Sequence, residues 1–289
     1  MAAFPNNKEL RDFLEKKVLE YNQPSFIAKD PVSVPHHFNK KQDIEIAGLF
    51  TAIFSWGNRK TIIQKSNELM KGMDDAPYDF IKNHQPADLN RFLEFKHRTF
   101  NATDLLYFIR FLKMHYQKSD SLESAFLPGF LYEKKWAARP EGFLPVEKRK
   151  FIRVNPALTG EHEFVKIALT DFYTRFFSLE NAPQRTKKHI TSPGKNSTCK
   201  RLNMYLRWMV RRDKRGVDFG IWNKISPADL ICPVDLHVAR VARGFGMISR
   251  KQTDWQTAME LTNTLRTMDK NDPVRFDFAL FGLGVMEKY

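Results

Sequence analysis

Leu10, Phe13, Leu14, Val18 and Tyr21 recur three and four residues apart, the spacing of one face of an α-helix. The same period returns over roughly 60–72, 102–117, 162–178, 198–212, 254–267 and 273–287. Residues 44–56 are apolar nearly all round, as a buried helix is. No stretch of six or more residues alternates convincingly as a strand would, so the expected fold class is all-α. Start signals agree with this. Ser226-Pro227 and Asp272-Pro273 each put a capping residue before a proline at the first helical position. Asp235 precedes LHVARVAR, which stops at Gly244, a natural C-terminal cap residue.

At 289 residues, 42% of them hydrophobic and 25 of them Phe, the chain can bury a substantial core as one large domain or two lobes. Cys199 and Cys232 are the only cysteines, too few for a disulfide scaffold or a four-thiolate iron–sulfur cluster. They fit a reducing compartment. The N-terminus has no apolar signal-peptide core, and the most hydrophobic run, IAGLFTAIFSW at 46–56, is too short to span a bilayer. A cytoplasmic protein without a membrane partner is expected. Residues 128–160 mix Pro, Gly, Lys and aromatics without a period, which reads as a long loop packed by Phe130, Trp136 and Phe143.

The formal net charge of +14 is unevenly spread. Between Arg185 and Arg215 eleven Lys/Arg face one acid, Asp213, so ten of the fourteen net charges sit in 31 residues. That clustering is the footprint of a polyanion-binding surface, most often for nucleic acid. Within it, CKRLNMYLRWMVRR (199–212) turns Leu202, Tyr205, Leu206, Met209 and Val210 to one side of a helix. Lys200, Met204, Arg207 and Arg211 fall opposite and read as a solvated basic face.

Lys200 opens that helix, where the positive end of the dipole disfavours a cation. A helix N-terminus, partial burial and neighbouring Arg201, Arg207 and Arg211 are surroundings of the kind that activate a lysine as a nucleophile. Asp235 serves as a helix N-cap, or as a carboxylate facing a reacting centre. Metal ligation has little to draw on: the eight His are scattered, and GEHEF at 160–164 lacks the second His of a metalloprotease helix. Neither a metal nor a cofactor is expected.

SPGKNSTCK (192–200), with its lysine opening a helix after a Pro-Gly turn, and PVDLHVARV (233–241) together resemble the helix–hairpin–helix DNA glycosylase superfamily. VDFGIW (217–222) and DPVRFDFALFGLG (272–284) are similar to an uncharacterised bacterial family related to the archaeal-type 8-oxoguanine glycosylases. The similarity covers most of 43–289. It implies a two-lobed fold with a cleft, one lobe being 44–210 and the other 1–43 plus 211–289. It implies Lys200 as the nucleophile at C1′ and Asp235 as the assisting carboxylate. Asp277 and Phe281, four residues apart, would line the base pocket together with Trp56. Lys195, Asn196, Arg201, Arg207, Arg211, Asn58 and Arg59 would contact DNA, with Trp56, Asn58 or Arg59 filling the gap left by the flipped base. The chain departs from the superfamily in three places: its hairpin keeps one glycine of the usual Gly-x-Gly, Gly57, which cannot fill a hole, follows Ser55-Trp56, and the separation of Lys200 and Asp235 is long for the superfamily, though the archaeal-type branch tolerates longer connections.

The expected activity is that of a monomeric base-excision glycosylase and abasic-site lyase. Its substrate would be damaged duplex DNA carrying an oxidised purine such as 8-oxoguanine. A non-catalytic nucleic-acid-binding protein on the same scaffold is the alternative, and a lysine-dependent enzyme on a small carbonyl compound leaves the basic cluster unexplained.

Overall fold

The computed structural model describes residues 7–129 and 163–289, so all but the first two residues of the expected 128–160 loop, with Phe130, Trp136 and Phe143, lie outside the described residues. In chain order these form α1 (Asn7–Tyr21), α2 (Pro24–Ile27), α3 (Lys41–Phe54), α4 (Arg59–Gly72) and α5 (Pro77–Asn83). A two-residue hairpin, β1 (Lys96–His97) and β2 (Phe100–Asn101), precedes α6 (Ala102–Tyr116) and α7 (Phe164–Phe176). The chain ends with α8 (Lys200–Val210), α9 (Leu236–Gly244), α10 (Trp255–Met268) and α11 (Asp277–Val285). The protein is mostly helical, and every periodic segment of the sequence is a helix within a few residues of its expected ends. Asp272 departs from its expected role: it makes no side-chain cap and instead pairs with Arg211.

α3 is the central helix, with every residue from Asp43 to Phe54 buried. Its one fully buried carboxylate, Glu45, accepts hydrogen bonds from the Tyr116 and Ser121 hydroxyls, the Leu122 amide and the Trp222 indole. Burial pushes that carboxyl upward from its ordinary value. Four donors from three separate segments converge on it, so the group ties α6, the turn after it and the VDFGIW segment to α3.

α8 lies against α3 at Gly48, where a Cβ would come within 2.9 Å of the Met209 methyl and 3.2 Å of the Tyr205 ring. The Tyr205 hydroxyl donates to the Glu45 carbonyl at 2.9 Å, and Arg201 donates to the Ile53 carbonyl at 2.7 Å. These contacts fix the start of α8, and with it Lys200. α9 is fixed through α11: Gly284 lets the backbone of His237 approach, and Arg240 donates to the Gly284 and Tyr289 carbonyls.

The N-terminal helix closes over the C-terminal one. Tyr21 lies flat against Gly282, and both Tyr21 and Lys17 donate to Glu287. A Cβ at Gly282 would overlap the Tyr21 ring. Gly282→Ala is therefore expected to destabilise the fold by about 1–3 kcal/mol through overpacking, read as a lower midpoint in urea.

Candidate functional site

The segment before α8 bends twice through left-handed backbone at residues that are not glycine: Asn196 (φ 55°) and Cys199 (φ 50°). Ser192 starts the turn by accepting from the Gly194 amide at 3.2 Å, and Asn196 also donates to Asp254 at 3.3 Å. Asn tolerates the left-handed region better than most residues, because its side chain bonds locally. Cys199 has no such excuse; it is buried, its thiol is pushed up to about 12 by burial, and it is no nucleophile. Lys200 follows at once as the first residue of α8.

Asp235 caps α9 and at the same time faces Lys200. Its Oδ1 accepts from the His237 and Val238 amides at 2.9 and 3.0 Å, capping α9. Its Oδ2 lies 3.7 Å from Lys200 Nζ. Both side chains are three-quarters buried at the mouth of one pocket, with Asp277 and Phe281 among its lining residues. Three segments, at Lys200, Asp235 and Asp277–Phe281, thus meet at one place. The pocket is narrow, about 30 Å³, room for about one water molecule.

Asp277 is fully desolvated, and its carboxyl is pushed up to about 6 by burial, with the facing Asp235 adding to the rise and Arg207 opposing it. Arg207 donates to Asp277 through Nη1 and to Asp218 through Nε at 3.3 Å, and its guanidinium stacks 4.3 Å over the Phe278 ring. Burial alone would discharge Arg207, but Asp218 and Asp277 outweigh it and hold it charged. Arg211 is buried too, bridging Asp218 at 3.1 Å, Asp213 at 2.7 Å and Asp272 at 2.9 Å.

These partners correct several expectations. The side of α8 opposite its apolar stripe is not a solvated basic face. Lys200, Met204 and Arg207 line the pocket, and Arg211 is buried in the aspartate cluster behind it. Arg207 and Arg211 are spent on aspartates and cannot serve as phosphate contacts. Arg201 is spent on the Ile53 and Lys188 carbonyls, and burial pulls its guanidinium down to about 10. Trp56 does not line the pocket. It sits beside His97 and His189, with the exposed Arg98 guanidinium 4.6 Å over its ring. Asn58 is exposed and caps α4 by accepting from Thr61. Arg59 does reach the site, lying 5.5 Å over the Phe281 ring. Lys195 and Asn196 are exposed on the turn before α8, Lys195 donating to the Tyr173 hydroxyl at 2.6 Å.

Three lining residues escape the sequence reading: Phe26, Asp30 and Trp208. Asp30-Pro31 repeats the cap-before-proline device noted at Ser226 and Asp272, so a signal for a turn was present, though not for a pocket. Among the described residues, no group of three or more His, Cys, Asp or Glu is placed to hold a metal ion, and no helix is long and apolar enough to cross a membrane.

A family model described as "Protein of unknown function (DUF2400)" matches residues 30–286. No curated protein and no solved structure matches the chain. With almost the whole length matched, from the pocket's Asp30 to the end of α11, the chain belongs to the DUF2400 family of unknown function.

Proposed function

We propose that this protein is a DNA base-excision glycosylase with abasic-site lyase activity, built on a two-lobed helix–hairpin–helix scaffold. The observation that carries the reading is the 3.7 Å approach of Lys200 Nζ to Asp235 Oδ2 at the mouth of a pocket that also contains Asp277 and Phe281. Lys200 attacks C1′ as the bond to the base breaks and the base leaves with the bonding electrons. Asp235 stabilises the positive charge at C1′ and takes up the amine proton. Opening of the sugar ring then gives a Schiff base, and β-elimination nicks the strand. The base must leave the stack to reach such a pocket.

The hairpin also supports this reading. Asn196 stands where the second glycine of Gly-x-Gly would and adopts the left-handed backbone that a glycine favours. With Arg201, Arg207 and Arg211 engaged internally, phosphate contact falls to the outward-facing Lys188, Lys195 and Lys214.

The test is a nicking and binding assay on duplexes carrying 8-oxoguanine, uracil or an abasic site. Salt-sensitive binding with strand cleavage on at least one is expected. The narrow pocket favours a second reading, a non-catalytic DNA-binding protein; binding of damaged and undamaged duplex alike, with no cleavage, would select it. Neither binding nor cleavage would overturn both.

Asp235→Asn separates the two roles of that residue. Asparagine still caps α9, so the unfolding midpoint should hold, whereas loss of the carboxylate should lower cleavage by about 100-fold or more.

A further inference from the structure

Two polar groups of the pocket have hydrogen-bonding capacity left unused. Asp30 is more than nine-tenths buried, and only its Oδ1 is engaged, accepting from the Val32 amide at 3.0 Å. Among the described residues no donor reaches its other oxygen. Trp208, which lines the same pocket, has an indole N–H that is buried with no hydrogen-bond partner. A buried donor left unmade costs about 1–3 kcal/mol, and native structures keep few of them without a reason. The other polar groups nearby are satisfied: Arg207 is held by Asp218 and Asp277, and Asp235 caps α9 while facing Lys200.

We infer that Asp30 and Trp208 form the recognition pair of this pocket, Asp30 accepting from a ring N–H and Trp208 donating to the adjacent carbonyl oxygen of the same base. The ligand class is a nucleobase with a lactam edge, an N–H beside a C=O, as in uracil, hypoxanthine, guanine and its oxidised forms. This rests on the reading of the pocket as a base site, and it adds the edge that is read and two residues that read it. Phe281, with Phe26 edge-on at 6.2 Å and Arg59 over its ring, supplies the stacking surface. Arg59 makes no hydrogen bond or ion pair among the described residues, and an entering base would take the place of its planar guanidinium over the Phe281 ring. The present volume of about 30 Å³ requires such a displacement.

Two measurements, made on the full chain, separate the inference from the reading beneath it. The first is binding of free uracil and hypoxanthine by the wild type, Asp30→Asn and Trp208→Phe, with 1,3-dimethyluracil as the control that keeps both carbonyls and has no N–H. The wild type should bind the first two and not the third, and each variant should lose at least about 10-fold in affinity. In Asp30→Asn the new side-chain carbonyl can still accept from the Val32 amide, so the unfolding midpoint of that variant should match the wild type. Failure of the wild type to bind either base, equal binding of the dimethyl compound, or unchanged affinity in Asp30→Asn would overturn the inference. The second is borohydride trapping of the wild type on an abasic-site duplex, which has no base to read. Absence of trapping in the wild type sinks the lyase reading but leaves the base-binding result to decide the inference.

Discussion

Lys200→Gln is expected to lower strand cleavage by at least about 1000-fold while duplex affinity stays within about threefold. Loss of a nucleophile removes a covalent route that the remaining groups cannot replace, and effects of this size are usual for such residues. Binding should survive, because Lys200 is three-quarters buried and faces Asp235 and not the outer surface. Glutamine keeps the length and polarity of the side chain at the first position of α8, so the helix start should be undisturbed. Single-turnover cleavage and equilibrium binding, measured on the same duplex, check both halves. A parallel loss of affinity would assign Lys200 to phosphate contact and remove it from the chemistry.

The second large effect concerns the floor of the pocket. Arg207→Met is expected to destabilise the protein by about 3–5 kcal/mol, read from urea unfolding. Removing the guanidinium strands the buried carboxylate of Asp277 and leaves Asp218 to Arg211 alone. A surface arginine contacting DNA would behave oppositely: stability would change by no more than about 0.5 kcal/mol, and salt-sensitive affinity would fall. Asp277→Asn combined with Arg207→Met should recover part of the loss, since the stranded charge is then gone.

The helices and the pairing of Lys200 with Asp235 were legible in the sequence; the floor of the pocket was not. Period 3.6 in apolar residues is a local property, so α1, α4, α6, α8 and α10 could be read directly. Lys200 and Asp235 were legible because each opens a helix, a position with its own chemistry. Arg207 was misread because an arginine off the apolar stripe of a helix is ordinarily solvated. Its burial depends on Asp218 and Asp277, 11 and 70 residues away, and on the Phe278 ring beneath it. Trp56 was misassigned for a similar reason. The turn after α3 sends its indole toward β1 and His97, and Gly57, with φ 103°, leaves room for Arg98 to cover it. Asp30 lay outside every motif, in a turn that only tertiary packing brings to Lys200.

The pocket geometry makes a unified demand. One amine, one capping carboxylate, a desolvated Asp277 and an aromatic wall converge where α8 and α9 begin, and a chemistry that used other lysines of the basic cluster would leave this convergence without a purpose. The most direct test is to reduce the protein with borohydride on an abasic-site duplex, digest the adduct and map the modified peptide by mass spectrometry. The account predicts a sugar-phosphate remnant on Lys200 and no adduct from Lys200→Gln. A remnant on Lys188 or Lys195 instead, with Lys200→Gln trapping as well as the wild type, would contradict it.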